Sequence, residues 1–232
     1  MHRDVCYWLN RAILRAGLDL ACVNTAVEAS TLGERSGMFG RPQLLPQDRF
    51  ASQHLLPKDA LCVSVGGNDV VMQPTLATVC SMLALIRASP ESVRSGRAWG
   101  LRHFVRLFRD RVRSYIERVL DGHHVSAVAV CCIYYPCLEG LGSWADLGLG
   151  LLRYDSEPAR LQLILREIYR QAVAEIRLPG VRVVPIPLYE FLDPGAPGDY
   201  VARVEPSVVG GRKLANGILA CLQPILQGEQ GA

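Results

Sequence analysis

The hydrophobic positions of the chain alternate between helix-like and strand-like patterns. Apolar residues recur at helical spacing in the opening segment, near 43–55, in 75–87, in 99–120, in 157–177 and in the closing stretch from Gly210. Between these segments lie short runs that are apolar almost throughout, namely 18–24, 60–65, 126–135 and 181–186. Runs of this length and composition predict buried β-strands.

The order of these elements predicts the fold. Strands that are apolar on both faces and separated by helices indicate a parallel sheet covered on both sides. With right-handed crossovers, the result is a three-layer α/β/α sandwich with a flavodoxin-like sheet. No repeat or linker divides the chain, and 232 residues fit one large domain spanning 1–232.

Polar or turn-forming residues follow all four predicted strands. In an open parallel sheet, ligands bind beyond the carboxyl ends of the strands. Asn24 follows the first strand, Gly66-Gly67-Asn68-Asp69 the second, Tyr134 the third, and a loop that reaches Glu205 the fourth. The pattern predicts one pocket shared by Asn24, Asn68 and Glu205. Asn24, Gly67, Asp69 and Tyr134 are the candidates for substrate binding.

The turn at 66–69 allows two interpretations. Glycines followed by Asn or Asp are a common way to leave a strand and cap a helix, which would make the turn purely structural. Alternatively, the glycines let the backbone approach a ligand while the Asn68 amide donates a hydrogen bond to a developing oxyanion.

Three segments resemble conserved blocks of the SGNH (GDSL-type) hydrolases. SVGGNDVV (64–71) resembles the block whose Gly-x-Asn-Asp supplies an oxyanion-hole asparagine, here Asn68. LACVNTAVEAS (20–30) is similar to the Asn-x-Gly block, with Ala26 in the place of the glycine and its N–H still available. VEPSVVGGRKLA (204–215) resembles the Asp-x-x-His-Pro-Ser block. The resemblance implies hydrolysis of an ester or related acyl bond without a cofactor, with Asn68, Ala26 and Glu205 in the catalytic set.

The chain also departs from the family pattern. Glu205 stands where the family has its histidine, and Ala202 where it has its aspartate. The Gly-Asp-Ser block has no counterpart and would precede Met1, so we expect an N-terminally shortened domain that lacks its central first strand. Strands 18–24 and 60–65 would then lose a shared partner. Without the Ser and His of the triad, catalysis is expected to be impaired. The alternative is a pseudoenzyme, a non-catalytic module that binds a small ligand.

Other residues offer no clear replacement for the triad. Ser30, Ser64 and Ser207 are the serines nearest the expected site, and the histidines favour solvated or structural roles. Glu205 is a poor base unless burial raises its pKa. It could instead bind a cationic group, pair with Arg203 or Arg212, or cap the last helix.

Composition narrows the environment and the partners. The eight cysteines show no C-x-x-C spacing and several lie in apolar runs, so we predict free thiols in a soluble, cytoplasmic protein without a zinc site. The net charge of +3 is too small to indicate nucleic acid, and the arginines at 102–113 are expected to form a solvated face. The apolar runs are shorter than the roughly 20 residues of a membrane span. The resemblance to the SGNH hydrolases implies a small-molecule ester or acyl substrate as the partner.

Overall fold

A computed structural model describes residues 3–36, 42–140 and 142–228. The chain forms two compact units, each assembled from separate stretches of sequence. The first, here called the terminal unit, comprises residues 1–24, 132–162 and 186–232. The second, here called the sheet unit, comprises residues 25–131 and 163–185.

The regular elements are numbered in chain order. The α-helices of the described residues are α1 (Val5–Arg15), α2 (Pro46–His54), α3 (Gly67–Val71), α4 (Leu76–Arg87), α5 (Pro90–Arg94), α6 (Leu101–Val105), α7 (Val112–Leu120), α8 (Asp146–Leu151), α9 (Pro158–Gln171) and α10 (Val208–Gly228). The strands are β1 (Ala60–Val63), β2 (Ala127–Cys131), β3 (Val183–Ile186), β4 (Tyr200–Val201) and β5 (Glu205–Pro206).

The parallel sheet has the strand order β1-β2-β3. Ala60 of β1 is opposite Ala127 of β2, and Val63 is opposite Val130, so these two strands run in the same direction. All five residues of β2 are buried, as expected for a central strand covered on both faces. The predictions of a mixed α/β protein with a parallel sheet, and of strands within 60–65, 126–135 and 181–186, are confirmed.

The predicted strand at 18–24 is wrong. This stretch forms no strand. The side chain of Asn10 instead makes the hydrogen bonds to the Cys22 backbone that a neighbouring strand would make. The Asn10 Oδ1 accepts a hydrogen bond from the Cys22 N–H at 2.8 Å, and the Asn10 Nδ2 donates to the Cys22 carbonyl at 2.8 Å. A side-chain amide thus satisfies both backbone groups of that residue.

The predicted helix at 99–120 is continuous but not uniformly α-helical. Between α6 and α7, Arg106–Arg111 forms a π-helical turn. Phe104, Phe108 and Val112 are buried along the inner side of this run. They follow one another at intervals of four residues, which is wider than the roughly 3.6 residues of an α-helical turn, and the π turn accommodates the difference.

In the terminal unit, α1 packs against α10. Asp4 caps the first turn of α1, with its Oδ1 accepting a hydrogen bond from the Tyr7 N–H at 2.8 Å. β4 and β5 form a short antiparallel hairpin in which Val201 is opposite Glu205. Among the residues described, no helix combines the length and the apolar character needed to cross a bilayer.

Candidate active site

The turn after β1 requires a glycine at position 66. Gly66 has φ +96°, in the left-handed region, and immediately precedes α3. A Cβ atom at this position would lie 2.8 Å from Cε1 of Phe108, too close for any real side chain. Both the backbone conformation and the packed ring therefore exclude larger residues, and Gly67, Asn68 and Asp69 begin the helix in a fixed orientation.

Asp69 ties this turn to the loop at 31–33. Its side chain is buried, and its Oδ2 and Oδ1 accept hydrogen bonds from the N–H groups of Leu32 and Gly33, both at 2.8 Å. The Arg111 guanidinium lies 3.9 Å from Oδ1. Both carboxylate oxygens thus accept hydrogen bonds from the protein backbone. This structural role accounts for an aspartate at position 69 even if no ligand binds to it. Its role in substrate binding stays a prediction.

Asn68 lies beside the same loop. Its Nδ2 donates a hydrogen bond to the Ser30 carbonyl at 3.1 Å, and the side chain is half-buried. A side-chain amide carries two N–H donors, so one bond to Ser30 orients the group and leaves the second donor for a ligand. Ala26 is exposed in the irregular stretch that leads into this loop. The two candidate oxyanion donors therefore belong to the same compact unit.

A buried ion pair anchors the far end of this loop. Arg35 and Asp48 are each 3% exposed and form a bidentate pair, with Nε to Oδ2 at 2.8 Å and Nη2 to Oδ1 at 2.7 Å. Arg35 Nη1 also donates to the Thr31 carbonyl at 2.8 Å, and the Tyr115 hydroxyl donates to Asp48 Oδ1 at 3.0 Å. Nothing in the sequence pattern predicted this network, which holds the loop through the Thr31 carbonyl.

The ionisation of the network follows from its contacts. Burial would raise the pKa of Asp48, but the hydrogen bonds from Arg35 and from the Leu45 N–H outweigh it, and the pKa lies below its usual value. Burial, together with the adjacent Asp48 carboxylate, raises the pKa of Tyr115. The tyrosine therefore remains a neutral donor beside an ionised acceptor.

In the terminal unit, Tyr134 and Glu205 lie near one another. The Tyr134 hydroxyl donates to the Val204 carbonyl at 2.8 Å. Burial, followed by the nearby Glu205 carboxylate, raises the pKa of Tyr134. Because its hydroxyl hydrogen is already engaged by the backbone, Tyr134 holds the β4–β5 hairpin. Its predicted contact with a substrate stays a prediction.

Glu205 is exposed on β5. It makes no ion pair with any residue that the structure describes: Arg203 pairs with Asp146 and Asp155, and Arg212 lies over the ring of Trp8. Pairing of Glu205 with Arg203 or Arg212 is therefore not seen in the residues described, and its predicted role in binding a cationic group stays a prediction.

Ser207, rather than Glu205, caps α10. The Ser207 Oγ accepts hydrogen bonds from the Val209 and Gly210 N–H groups, both at 3.1 Å, and donates to the Gly198 carbonyl at 2.6 Å. The hydroxyl is fully used in this way, which leaves Ser207 unsuited to a role as nucleophile.

This assignment of Ser207 gives a stability prediction. We expect Ser207→Ala to lower the free energy of unfolding by about 0.5–2 kcal/mol, because two helix N–H groups lose their acceptor. Ser207→Thr keeps the hydroxyl and is expected to retain most of the stability. Urea denaturation of the three proteins measures the difference, and equal midpoints for the alanine and threonine variants would contradict the capping role.

Asn24 is exposed at the end of its segment. Its Nδ2 donates to Asp4 Oδ2 at 3.0 Å, so it is linked to the residue that caps α1. This contact holds the end of 18–24 against the start of the helix.

The other serine and histidine candidates form no nucleophile–base pair in the residues described. Ser64 is exposed, and His54 stacks on Phe50 with ring centroids 4.3 Å apart. His103 Nε2 lies 3.0 Å from the Thr78 hydroxyl, but Thr78 is 4% exposed inside the first turn of α4. In the described parts of the chain, no serine hydroxyl is hydrogen-bonded to a histidine.

The cysteines are all free thiols. Cys62 Sγ and Cys131 Sγ of neighbouring strands lie 3.9 Å apart. Within 3–36, 42–140 and 142–228, no three or more His, Cys, Asp or Glu side chains are grouped in a way that could hold a metal ion.

Comparisons with known proteins found no match among protein-family models, curated proteins or solved structures. The functional argument therefore depends on the residues of this chain.

Proposed function

We propose that the chain forms an SGNH-type hydrolase domain that acts on ester or related acyl bonds. The observation that carries the proposal is the double anchoring of the turn at 66–69 to the loop at 30–33. Asp69 binds the backbone of Leu32 and Gly33, and Asn68 binds that of Ser30. An oxyanion hole requires hydrogen-bond donors that are fixed in position before the negative charge develops. The Asn68 amide fits this requirement, because one N–H is bound to the Ser30 carbonyl and the second remains as a donor.

In this mechanism the Asn68 amide donates a hydrogen bond to the oxygen of the tetrahedral intermediate. The carbonyl oxygen of the substrate becomes negatively charged as a nucleophile attacks its carbon. Fixed donors stabilise that charge because they need no rearrangement during the reaction. Asn68 therefore stabilises the transition state.

One observation favours a different class, a non-catalytic module that binds a small ligand. Glu205 occupies the position of the family's histidine, and its exposed carboxylate does not contact a serine hydroxyl in the residues described. A carboxylate without a serine hydroxyl in reach cannot act as the base of a serine triad. The turn and loop would then bind an anionic or carbonyl group without breaking a bond.

The test is hydrolysis of p-nitrophenyl acetate by the chain. We expect Asn68→Ala to lower kcat by about 10²–10³-fold, the usual effect of removing one oxyanion donor. Asn216→Ala is the matched control, because Asn216 is exposed on α10 in the other unit. Equal rates for all three proteins would remove Asn68 from the mechanism. Binding of acetate without turnover, lost in Asn68→Ala, would support the binding module instead.

A further inference from the structure

An open groove of about 580 Å³ lies within the terminal unit. A volume of this size suits a small organic molecule. Its lining includes Glu139, Trp144 and Tyr200, with glycines 140 and 142 at the rim. The groove thus combines two aromatic rings with one carboxylate.

The single cation in the lining is already neutralised. Arg203 is 4% exposed, and its Nη1 and Nη2 contact Asp146 at 2.9 Å and Asp155 at 2.7 Å. Its Nε also donates to the Cys137 carbonyl at 3.2 Å. The hydrogen bond from Arg203 holds the pKa of Asp146 below its usual value, so that carboxylate stays ionised. Two carboxylates against one guanidinium leave a local excess of negative charge, although neither Asp146 nor Asp155 belongs to the lining of the groove.

Glu139 adds to this excess. It is exposed, and its carboxylate makes no hydrogen bond or ion pair with the residues that the structure describes. Since Arg203 is enclosed, the groove has no free cation in its lining to attract an anion. Its uncompensated charge is negative.

Trp144 is held in an exposed position by an ordered loop. The side chain is 53% exposed. Asp146 Oδ2 accepts hydrogen bonds from the Gly142 and Ser143 N–H groups at 2.8 Å each, and the Ser143 hydroxyl donates to the Ala202 carbonyl at 2.6 Å. These hydrogen bonds fix the backbone around Trp144, so its ring is held in an exposed position.

We propose that this groove binds a small organic cation, an alkylammonium or quaternary ammonium group, between the Trp144 ring and the Glu139 carboxylate. The face of an aromatic ring attracts a cation through its quadrupole, and tryptophan does so most strongly. Glu139 supplies the opposite charge. The inference concerns binding only and does not depend on the proposed hydrolase function.

The test compares choline with 3,3-dimethylbutan-1-ol, which has the same shape but carries a carbon in place of the charged nitrogen. Calorimetric titration of the full chain is expected to give measurable binding of choline and at least about 5-fold weaker binding of the neutral alcohol. Equal affinities for the two compounds, or no heat of binding with choline in large excess, would overturn the proposal.

Two variants of the groove test where choline binds. Glu139→Gln and Trp144→Leu are each expected to weaken choline binding by about 2–5-fold, the effect of one exposed cation–π or ionic contact. The matched controls are Trp99→Leu and Glu91→Gln, which alter an exposed tryptophan and an exposed glutamate of the sheet unit and are expected to leave the affinity unchanged. Choline binding that is insensitive to both groove variants would show that the cation binds elsewhere.

Discussion

Replacing Asp48 with alanine is expected to lower the free energy of unfolding by about 3–5 kcal/mol, the usual cost of breaking a buried ion pair. The reason is the charge that remains. Arg35 is 3% exposed and would lose both of its carboxylate contacts, which leaves a guanidinium without a counter-ion in a desolvated site. Tyr115 would at the same time lose the acceptor of its hydroxyl. Urea or thermal denaturation at neutral pH measures the change.

Asp110→Ala is the matched control for Asp48→Ala. Asp110 also pairs with an arginine, Arg109, at 2.8 Å, but the two side chains are 51% and 41% exposed. An exposed pair contributes at most about 1 kcal/mol. If both variants lost the same stability, the distinction drawn from burial would be wrong.

The contribution of Asp48 has a defined pH dependence. Its pKa in the folded protein is below the unfolded value of about 3.9. The stabilisation is therefore complete above that unfolded value and is lost as the pH falls through the lower, folded pKa. The stability difference between the protein and Asp48→Ala is expected to shrink on acidification below about pH 4, because the carboxylate then becomes protonated in both states.

Gly100→Ala is expected to lower the free energy of unfolding by about 2–5 kcal/mol, because alanine would add both the strain of a left-handed backbone and a steric overlap. Gly100 has φ +95°, and a Cβ atom there would overlap the Ser81 carbonyl oxygen and lie 3.0 Å from its carbonyl carbon. The obstacle is backbone of α4, which cannot rotate away as a side chain could. The lack of a side chain at Gly100 thus permits the close approach of its backbone to that of Ser81 in α4.

Gly122→Ala separates the conformational cost of a left-handed alanine from the steric cost. Gly122 has φ +81°, and a Cβ atom there would meet nothing within 4 Å. This variant is expected to lose only the conformational term of about 1–2 kcal/mol. Chemical denaturation of both variants gives the steric term by difference. Equal losses would indicate that α4 and α6 separate easily.

Sequence pattern predicted the sheet well and its surroundings less well. The apolar runs that became β1, β2 and β3 were identified because buried parallel strands have few polar residues. The same criterion failed at 18–24, since an apolar run does not reveal whether a neighbouring strand or a side chain such as Asn10 will satisfy its backbone. The short helices α3, α5 and α8 were missed because five or six residues are too few to show a period.

The sequence identified the turn at 66–69, but not the hydrogen bonds that hold it in place. Gly-Gly-Asn-Asp signals a turn before a helix, whereas the bonds from Asp69 to Leu32 and Gly33 join residues far apart in the chain. Likewise, the arginine at 203 was considered a partner for Glu205, and the structure instead buries it between Asp146 and Asp155. Charge pairing over such separations depends on the fold and leaves no local signal.

The π-helical turn at Arg106–Arg111 determines which change of length this region can absorb. A π-helical turn contains more residues than an α-helical turn, so deletion of one residue can convert it to regular α-helix while the apolar sides of α6 and α7 stay aligned. Phe108 lies inside the turn, and its ring packs where Gly66 has no side chain. A single-codon deletion that spares Phe108 would therefore preserve the core and the position of Asn68, whereas loss of Phe108 itself would remove the ring that packs against Gly66.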